Sequence, residues 1–99
     1  MSDKIKKLSD AIRLGSKFRP QCFNVLFGNG GSCALGAAYE VLTGINSEKY
    51  YEQDKAPAAG PLIQKRFGVS DFIICCITSR NDSGETREQI ADWLEEIGL

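Results

Sequence analysis

The residues of this sequence best suited to chemistry are its cysteines, Cys22, Cys33, Cys75 and Cys76. Thiolates bind metals, attack electrophilic carbon and exchange with disulfides. The chain contains no Cys-x-x-Cys pair and no histidine, so the usual zinc spacings are absent and neither a metal nor another cofactor is expected. Cys33 is the candidate for a catalytic or redox thiol. It follows Ser32, which reads as a helix N-cap, and free N–H groups at a helix start favour the thiolate and lower its pKa. A cysteine hydrolase also needs a histidine base, and lysine or arginine replaces only its electrostatic part. The reading that carries more weight is four buried free thiols acting as small hydrophobes, in a reducing compartment where disulfides are rare.

The second chemical candidate is the run Gly28-Asn-Gly-Gly, which feeds the helix that Cys33 opens. A glycine-rich loop at a helix N-terminus can cradle a phosphate with its free N–H groups. A Walker A loop requires Gly-Lys-Ser/Thr, and no lysine lies between Phe27 and Gly44. The dinucleotide fingerprint requires Gly or Ala where Cys33 stands. The run therefore reads as a turn.

These residues must be positioned by the stretch from Gly28 to Gly44, around which the chain is organised. Ser32 caps the helix, and Gly44 is suited to the left-handed residue that closes it. Leu35, Ala38, Tyr39 and Leu42 share one face. Cys33, Ala34, Gly36, Ala37 and Ala38 are small, so neighbours can approach the backbone closely. That close packing offsets the roughly 1 kcal/mol that Gly36 costs against alanine inside a helix. The expected element is a central helix buried on most sides.

Other helices surround it. Asp3 to Leu14 reads as a helix capped by Ser2 and stopped by Gly15, with Ile5, Leu8 and Ile12 as its apolar stripe. Pro20 turns Arg19 away from helix, and Gln21 to Phe27 reads as a strand or extended segment. Ser47 caps a short helix carrying Tyr50 and Tyr51. Ala56 to Pro61 is a loop by composition, and Pro61 opens a helix with Leu62, Ile63 and Phe67 inward and Gly68 at its end. Phe72 to Ile77 has the β-branched character of a buried strand, yet Ser70-Asp71 is a helix start and Phe72, Ile73, Cys76, Ile77 and Arg80 share a helical face. The helix is the preferred reading, with an α+β fold carrying residues 72–78 as a strand as the alternative. Asn81-Asp-Ser-Gly is a turn. Thr86 and Gln89 form a capping box before a final helix with Ile90, Trp93, Leu94 and Ile97 inward and Gly98 at its end. The fold class is mainly α: one domain over residues 1–99, with four to five helices around the small-residue helix.

Composition is that of an ordinary soluble globular protein, with 42% apolar and 25% charged residues. A chain of 99 residues can bury about 60–70% of its unfolded surface in one core. No apolar run reaches the ~20 residues that span a bilayer, and the start lacks the apolar core of a signal peptide, so the expected location is the cytoplasm. The net charge of −1 offers no footprint for nucleic acid, although Lys4 to Arg19 is basic and Asp82 to Glu96 acidic. The two ends either pack together within the domain, the favoured reading, or mediate head-to-tail association.

Arg19-Pro20-Gln21, Cys33-Ala-Leu-Gly-Ala37, Asn81-Asp82 and Thr86-Arg-Glu-Gln-Ile-Ala91 stand in an order and spacing that resembles a family of small uncharacterised bacterial and phage proteins. In that family a Cys-x-x-Gly-Ala helix precedes an Asn-Asp turn and a capped final helix. The resemblance runs from about Leu8 to Ile97 and is weakest between Asn46 and Val69. It implies a mainly helical single domain and carries no activity and no catalytic residue.

The combined reading is a cytoplasmic binding or interaction domain rather than an enzyme, with a protein partner or a second copy of the chain as its partner. Arg19, Gln21, Asn81 and Asp82 are the candidate binding residues, because they are polar and fall in predicted loops. Asn81 and Asp82 also suit ordinary turn chemistry. The alternatives are a thiol enzyme or redox sensor using Cys33 and a nucleic-acid-binding protein. Thr86 to Leu94 resembles the opening helix of a helix-turn-helix, but no recognition helix follows it and it is acidic. Leu8, Ile12, Leu35, Tyr39, Leu42, Ile90 and Trp93 are the expected core. Replacing Gly36 by leucine is expected to unfold or badly destabilise the protein by forcing bulk into a close contact. A thermal melt within a degree or two of the parent would show that the close contact does not exist.

Overall fold

The computed structural model describes residues 5–44 and 59–99. The elements run α1 (Leu8–Gly15), β1 (Phe27–Gly28), β2 (Gly31–Ser32), α2 (Ala34–Thr43), α3 (Ala59–Phe67), α4 (Asp71–Asp82) and α5 (Arg87–Glu96). The expected helix over Tyr50 and Tyr51 lies outside the described residues. No described helix is long and apolar enough to cross a membrane.

α2 is the hub. Every residue from Ala34 to Glu40 is buried, and α1, α3, α4 and β2 all pack on this helix. Its small side chains permit this, and two contacts show how close the approach is. A Cβ added at Gly15 would fall on the Ala37 carbonyl oxygen, so α1 and α2 meet backbone to backbone. A Cβ added at Gly36 would collide with the Leu26 carbonyl oxygen, so the crowding at Gly36 comes from a loop rather than from a neighbouring helix. Gly44 closes α2 in the left-handed region at φ 78°.

The N-terminus of α2 differs from expectation by one residue. Cys33 is the N-cap, and its sulfur accepts a hydrogen bond from the Gly36 N–H at 3.3 Å. Ser32 is unavailable as a cap because pairing claims it. In the hairpin Ser32 lies opposite Phe27, and on its other side it bridges Gln21 in parallel register. Asn29 and Gly30 form the two-residue turn with φ of 52° and 79°, the positive pair that matches the twist of a tight hairpin. Gln21 to Phe27 is thus extended at both ends and irregular between them.

α1 begins at Leu8 behind an extended Lys7, not at Asp3, and Met1 to Lys4 lie outside the described residues. Ile5 is non-helical yet buried, and its carbonyl accepts from Arg66 Nη2 at 2.6 Å. Anchorage to α3 and the absence of a side-chain cap explain the late start. Gly15 is the last helical residue rather than a stop. α3 starts at Ala59, ahead of Pro61, because Ala59 is buried with Phe27 and Tyr39. Pro61 remains in the first turn, where its missing N–H has no intrahelical partner.

Residues 71–82 are helix. Ser70 caps the start by accepting from the Ile73 N–H, and the buried face runs through Ile77 and Asn81. Phe72, expected on that face, is 73% exposed because it is rotated away from the Ile73–Ile77 line. Asn81 and Asp82 form the last turn of α4, and the chain reverses only after them. The capping box of α5 is complete, with Gln89 N–H on Thr86 Oγ1 at 3.0 Å and Thr86 N–H on Gln89 Oε1 at 2.9 Å. Leu8, Ile12, Leu35, Tyr39, Ile90 and Leu94 are buried, whereas Leu42 and Trp93 are half-buried. Trp93 lies under the Arg80 guanidinium at 4.1 Å, and Ile97 is exposed past the helix end.

The oppositely charged ends meet inside the domain, where α1 packs on α5. Arg13 reaches Asp92 and Glu95 at 2.7 Å each and Glu88 at 3.1 Å. Hydrogen bonds to Asp92 and Glu95 push the Arg13 pKa further above its ordinary value. Each such exposed pair contributes only about 0–1 kcal/mol.

Arg87 is different. It is buried, and its guanidinium meets no carboxylate among the described residues. Nη1 donates to Ser32 Oγ at 2.9 Å and to the Ser32 carbonyl at 3.2 Å, and Nη2 to the Arg19 and Ser16 carbonyls at 2.8 and 3.3 Å. Burial lowers its pKa, so the charge is held against a desolvation cost. Replacing Arg87 by methionine takes a donor from the buried Ser32 hydroxyl and from the part-buried Ser16 and Arg19 carbonyls, while the Ser32 carbonyl keeps the Cys22 N–H at 3.0 Å. The expected loss is about 3 kcal/mol, a fall on the order of 10–20 °C in the melting temperature. Lysine should restore only part, since a single ammonium cannot span the fork. A methionine variant that melts with the parent would mean that water replaces the guanidinium at no cost.

Candidate functional site

A cleft of about 230 Å³ opens where the 22–26 loop, the start of α2 and the end of α4 converge. Its buried lining is Cys33, Leu35, Ile77 and Asn81. Its exposed lining is Asn24, Val25, Thr78 and Asp82, with Leu26 between the two groups. The cleft is apolar within and polar at the mouth.

Asn81 builds it. The side chain is 1% exposed and bonded on both sides. Its Oδ1 accepts from the Ala34 N–H at 3.1 Å and from Gln21 Nε2 at 2.9 Å. Its Nδ2 donates to the Cys22 carbonyl at 3.0 Å and to Asp82 Oδ1 at 3.1 Å. A donor N–H on one side and a carbonyl on the other fix the orientation of the amide. Asn81 therefore caps α2 and clamps the 22–26 loop onto α4, besides bonding the side chain of its neighbour Asp82. Gln21 Nε2 extends the clamp to the Glu85 carbonyl at 2.8 Å.

Asp82 shapes the loop itself. Its Oδ1 accepts from the Asn24 N–H at 2.8 Å, and Asn24 sits at φ 68°, a left-handed conformation that asparagine tolerates better than most residues. The bend that results leaves Phe23 45% and Val25 42% exposed. Val25 also lines a second hollow of about 320 Å³ on the far side of the loop, beside Phe23 and the hairpin.

Three of the four candidate binding residues, Gln21, Asn81 and Asp82, are thus brought together. Arg19 is not with them. It makes a two-pronged ion pair with the buried Glu40 carboxylate, Nε to Oε1 at 2.8 Å and Nη2 to Oε2 at 3.0 Å.

Cys33 lies in the cleft, but its thiol is not activated. Burial pushes its pKa up and outweighs the Gly36 and Leu35 N–H groups, which pull it down. This reverses the expectation from the helix start, because desolvation of a thiolate in an apolar lining exceeds what two N–H groups return. Burial raises Cys22 as well. Cys22 and Cys76 are half-buried, and Cys75 is exposed rather than buried. No cluster of three or more histidine, cysteine or acidic side chains suited to a metal occurs among the described residues.

Sequence reasoning missed Asn24, Val25, Thr78 and Arg87. One signal was present for Arg87: a cation in the first turn of a helix opposes the macrodipole and needs another reason to be there. No family model, curated protein or solved structure matches the chain.

The ranking of thiols is testable by alkylation. Cys75 is expected to react first and Cys33 last between pH 6 and pH 9, as read by mass spectrometry of the native protein. Because the Cys33 pKa is raised, its thiolate fraction at each of these pH values is smaller than that of a free thiol. Its rate should still be climbing at the top of the range. Fast modification of Cys33 at pH 6 would instead reveal an activated thiolate.

Proposed function

We propose that this protein is a binding domain, located in the cytoplasm, that receives a group of a partner molecule in the cleft between the 22–26 loop and the end of α4. The observation that carries the reading is the Asn81 clamp. It holds three segments distant in sequence around a hollow, with the exposed apolar side chain of Val25 at the margin. A recess flanked by the exposed Val25 suits recognition, where anchors enter pockets and a surrounding surface excludes water.

Chemistry at Cys33 has less support. Its thiol is held towards the neutral form and the chain has no histidine to serve as base. Nucleic acid is disfavoured by the acidic outer face of α5, where Glu88, Asp92, Glu95 and Glu96 are all exposed. The order of motifs also supports kinship with the small bacterial and phage proteins that the sequence resembles, a kinship that adds no activity.

The test is an NMR screen of the labelled protein against a set of small apolar, cationic and anionic fragments. Bound fragments are expected to converge on the amide signals of Asn24 to Leu26, Leu35 and Ile77 to Asp82. Fragments that scatter over the surface, or gather on another face, would reject the cleft as the binding site.

A further inference from the structure

The cleft changes polarity along its depth. Leu35 and Ile77 are buried in its interior beside the Cys33 thiol, and Asn24, Thr78 and Asp82 are exposed at its mouth. A ligand that fits this gradient carries its apolar part innermost and its polar part outermost. Size narrows the choice. Drug-sized and cofactor pockets run to roughly 300–1,000 Å³, and an engineered apolar cavity of about 150 Å³ accepts a benzene. A cleft of about 230 Å³ therefore holds a group little larger than benzene.

The mouth sets the charge of the outer part. Asp82 lies in the last turn of α4, at the negative end of the helix, where a carboxylate is disfavoured. It makes no ion pair among the described residues, and no cationic side chain among them lines the cleft. Its Oδ1 takes the Asn24 N–H and Asn81 Nδ2, which leaves Oδ2 without a partner among the described residues. Its charge acts on the Cys33 thiol within, so the carboxylate is felt inside the cleft. Thr78 lies one turn earlier on the same face of α4, and Asn24 lines the mouth from the loop. Each adds a side-chain oxygen. Three oxygens at the rim, one of them anionic, suit a primary ammonium, which has three N–H groups to donate.

Resting on the binding-domain reading above, we infer that the cleft takes a short aliphatic primary amine, its carbon tail against Leu35 and Ile77 and its ammonium at the rim on Asp82 Oδ2. Lysine and arginine side chains entering from a backbone present the reverse order, charge first and stem behind, and do not fit the gradient. The right order occurs in two sources. One is a free alkylamine. The other is an apolar first residue of a polypeptide, whose α-ammonium sits at the root of its side chain.

The probes are 3-methylbutylamine, protonated at pH 7; 3-methylbutanol, which keeps the tail and loses the charge; and leucinamide, which adds a carboxamide to the carbon that bears the amine. Each is titrated into the labelled native protein by two-dimensional NMR. The amine is expected to give saturable shifts at Asn24, Leu35, Ile77 and Asp82. The alcohol should bind about fivefold more weakly, the size that one exposed ion pair supports. Intermolecular NOEs should join the methyl groups of the amine to those of Leu35 and Ile77, and its nitrogen-bearing carbon to the Thr78 methyl. Asp82→Asn, which keeps an oxygen for the Asn24 N–H, should bring the amine down to the affinity of the alcohol and leave the alcohol unchanged. The alcohol comparison and the NOEs use the unaltered protein and stand whatever the variant does to folding. Equal affinity of amine and alcohol at the cleft, or NOEs that place the nitrogen end against Leu35 and Ile77, would overturn the inference while leaving the binding domain intact. Fragments that bind the cleft while all three probes leave it unmoved would do the same, whereas fragments that avoid the cleft would remove the reading beneath it. With the amine bound as described, tighter binding of leucinamide assigns the site to a polypeptide N-terminus, and binding no tighter than the amine assigns it to a free amine.

Discussion

A guanidinium taken out of water without a carboxylate to meet it is the constraint on which the rest of this structure depends. Desolvating such an ion costs several kcal/mol, and among the described residues the compensation is made by neutral acceptors. Arg87 joins the end of α1, the segment before Pro20 and the strand β2, through Ser16, Arg19 and Ser32. Neutral acceptors leave the positive charge uncancelled, and the two thiols nearest it, Cys22 and Cys33, feel that charge. Their pKa values are raised all the same, because burial is the larger influence on both. Ser32 cannot cap α2 while it serves Arg87 and two pairing partners, so the cap passes to Cys33.

From that anchor the small residues of α2 acquire their purpose. Gly15 against Ala37 brings two helix backbones into contact, and Gly36 lets the Leu26 carbonyl lie against the helix. Leu26 is the inner end of the loop that forms one wall of the cleft, and the same carbonyl accepts from the Cys33 N–H at 3.0 Å. The recess is thus a by-product of tight packing on one side and of the Asn81 clamp on the other. Its walls are side chains of three segments, held in place by main-chain groups and one amide.

What could be read from the sequence divides along the same physical line. The capping box of α5, the left-handed Gly44 and the turn at Asn29-Gly30 depend on residues within a few positions of one another, and their chemistry is visible in any short window. The helical state of residues 71–82 was legible from the Ser70 cap, even though the β-branched run argued otherwise. Misplaced features were those decided by distant partners. Ser32 reads as a cap until the hairpin claims it, and Asn81 reads as a turn residue until Ala34 and Cys22 are seen on either side of it. The segment from Gln21 to Phe27 reads as a strand or extended segment until the bend at Asn24 turns Phe23 and Val25 outward. The acceptors of Arg87 are mostly main-chain carbonyls, which leave no trace in residue identity. The cleft was illegible for the same reason, since its walls come from three segments that only the folded chain brings together.

The arginine network also bears on the order in which the chain can fold. Its bonds close loops of 55 to 71 residues, and the ion pairs between α1 and α5 join residues 75 to 82 apart. During synthesis α1, the hairpin and α2 emerge first, with the Ser16, Arg19 and Ser32 acceptors still facing water. Loop-closure entropy makes such long-range contacts late and dependent on one another. The first half of the chain can bring α1 onto α2, but it lacks the Arg87 donor and the face of α5. The arginine network and the contact between α1 and α5 can therefore close only once α5 has left the ribosome.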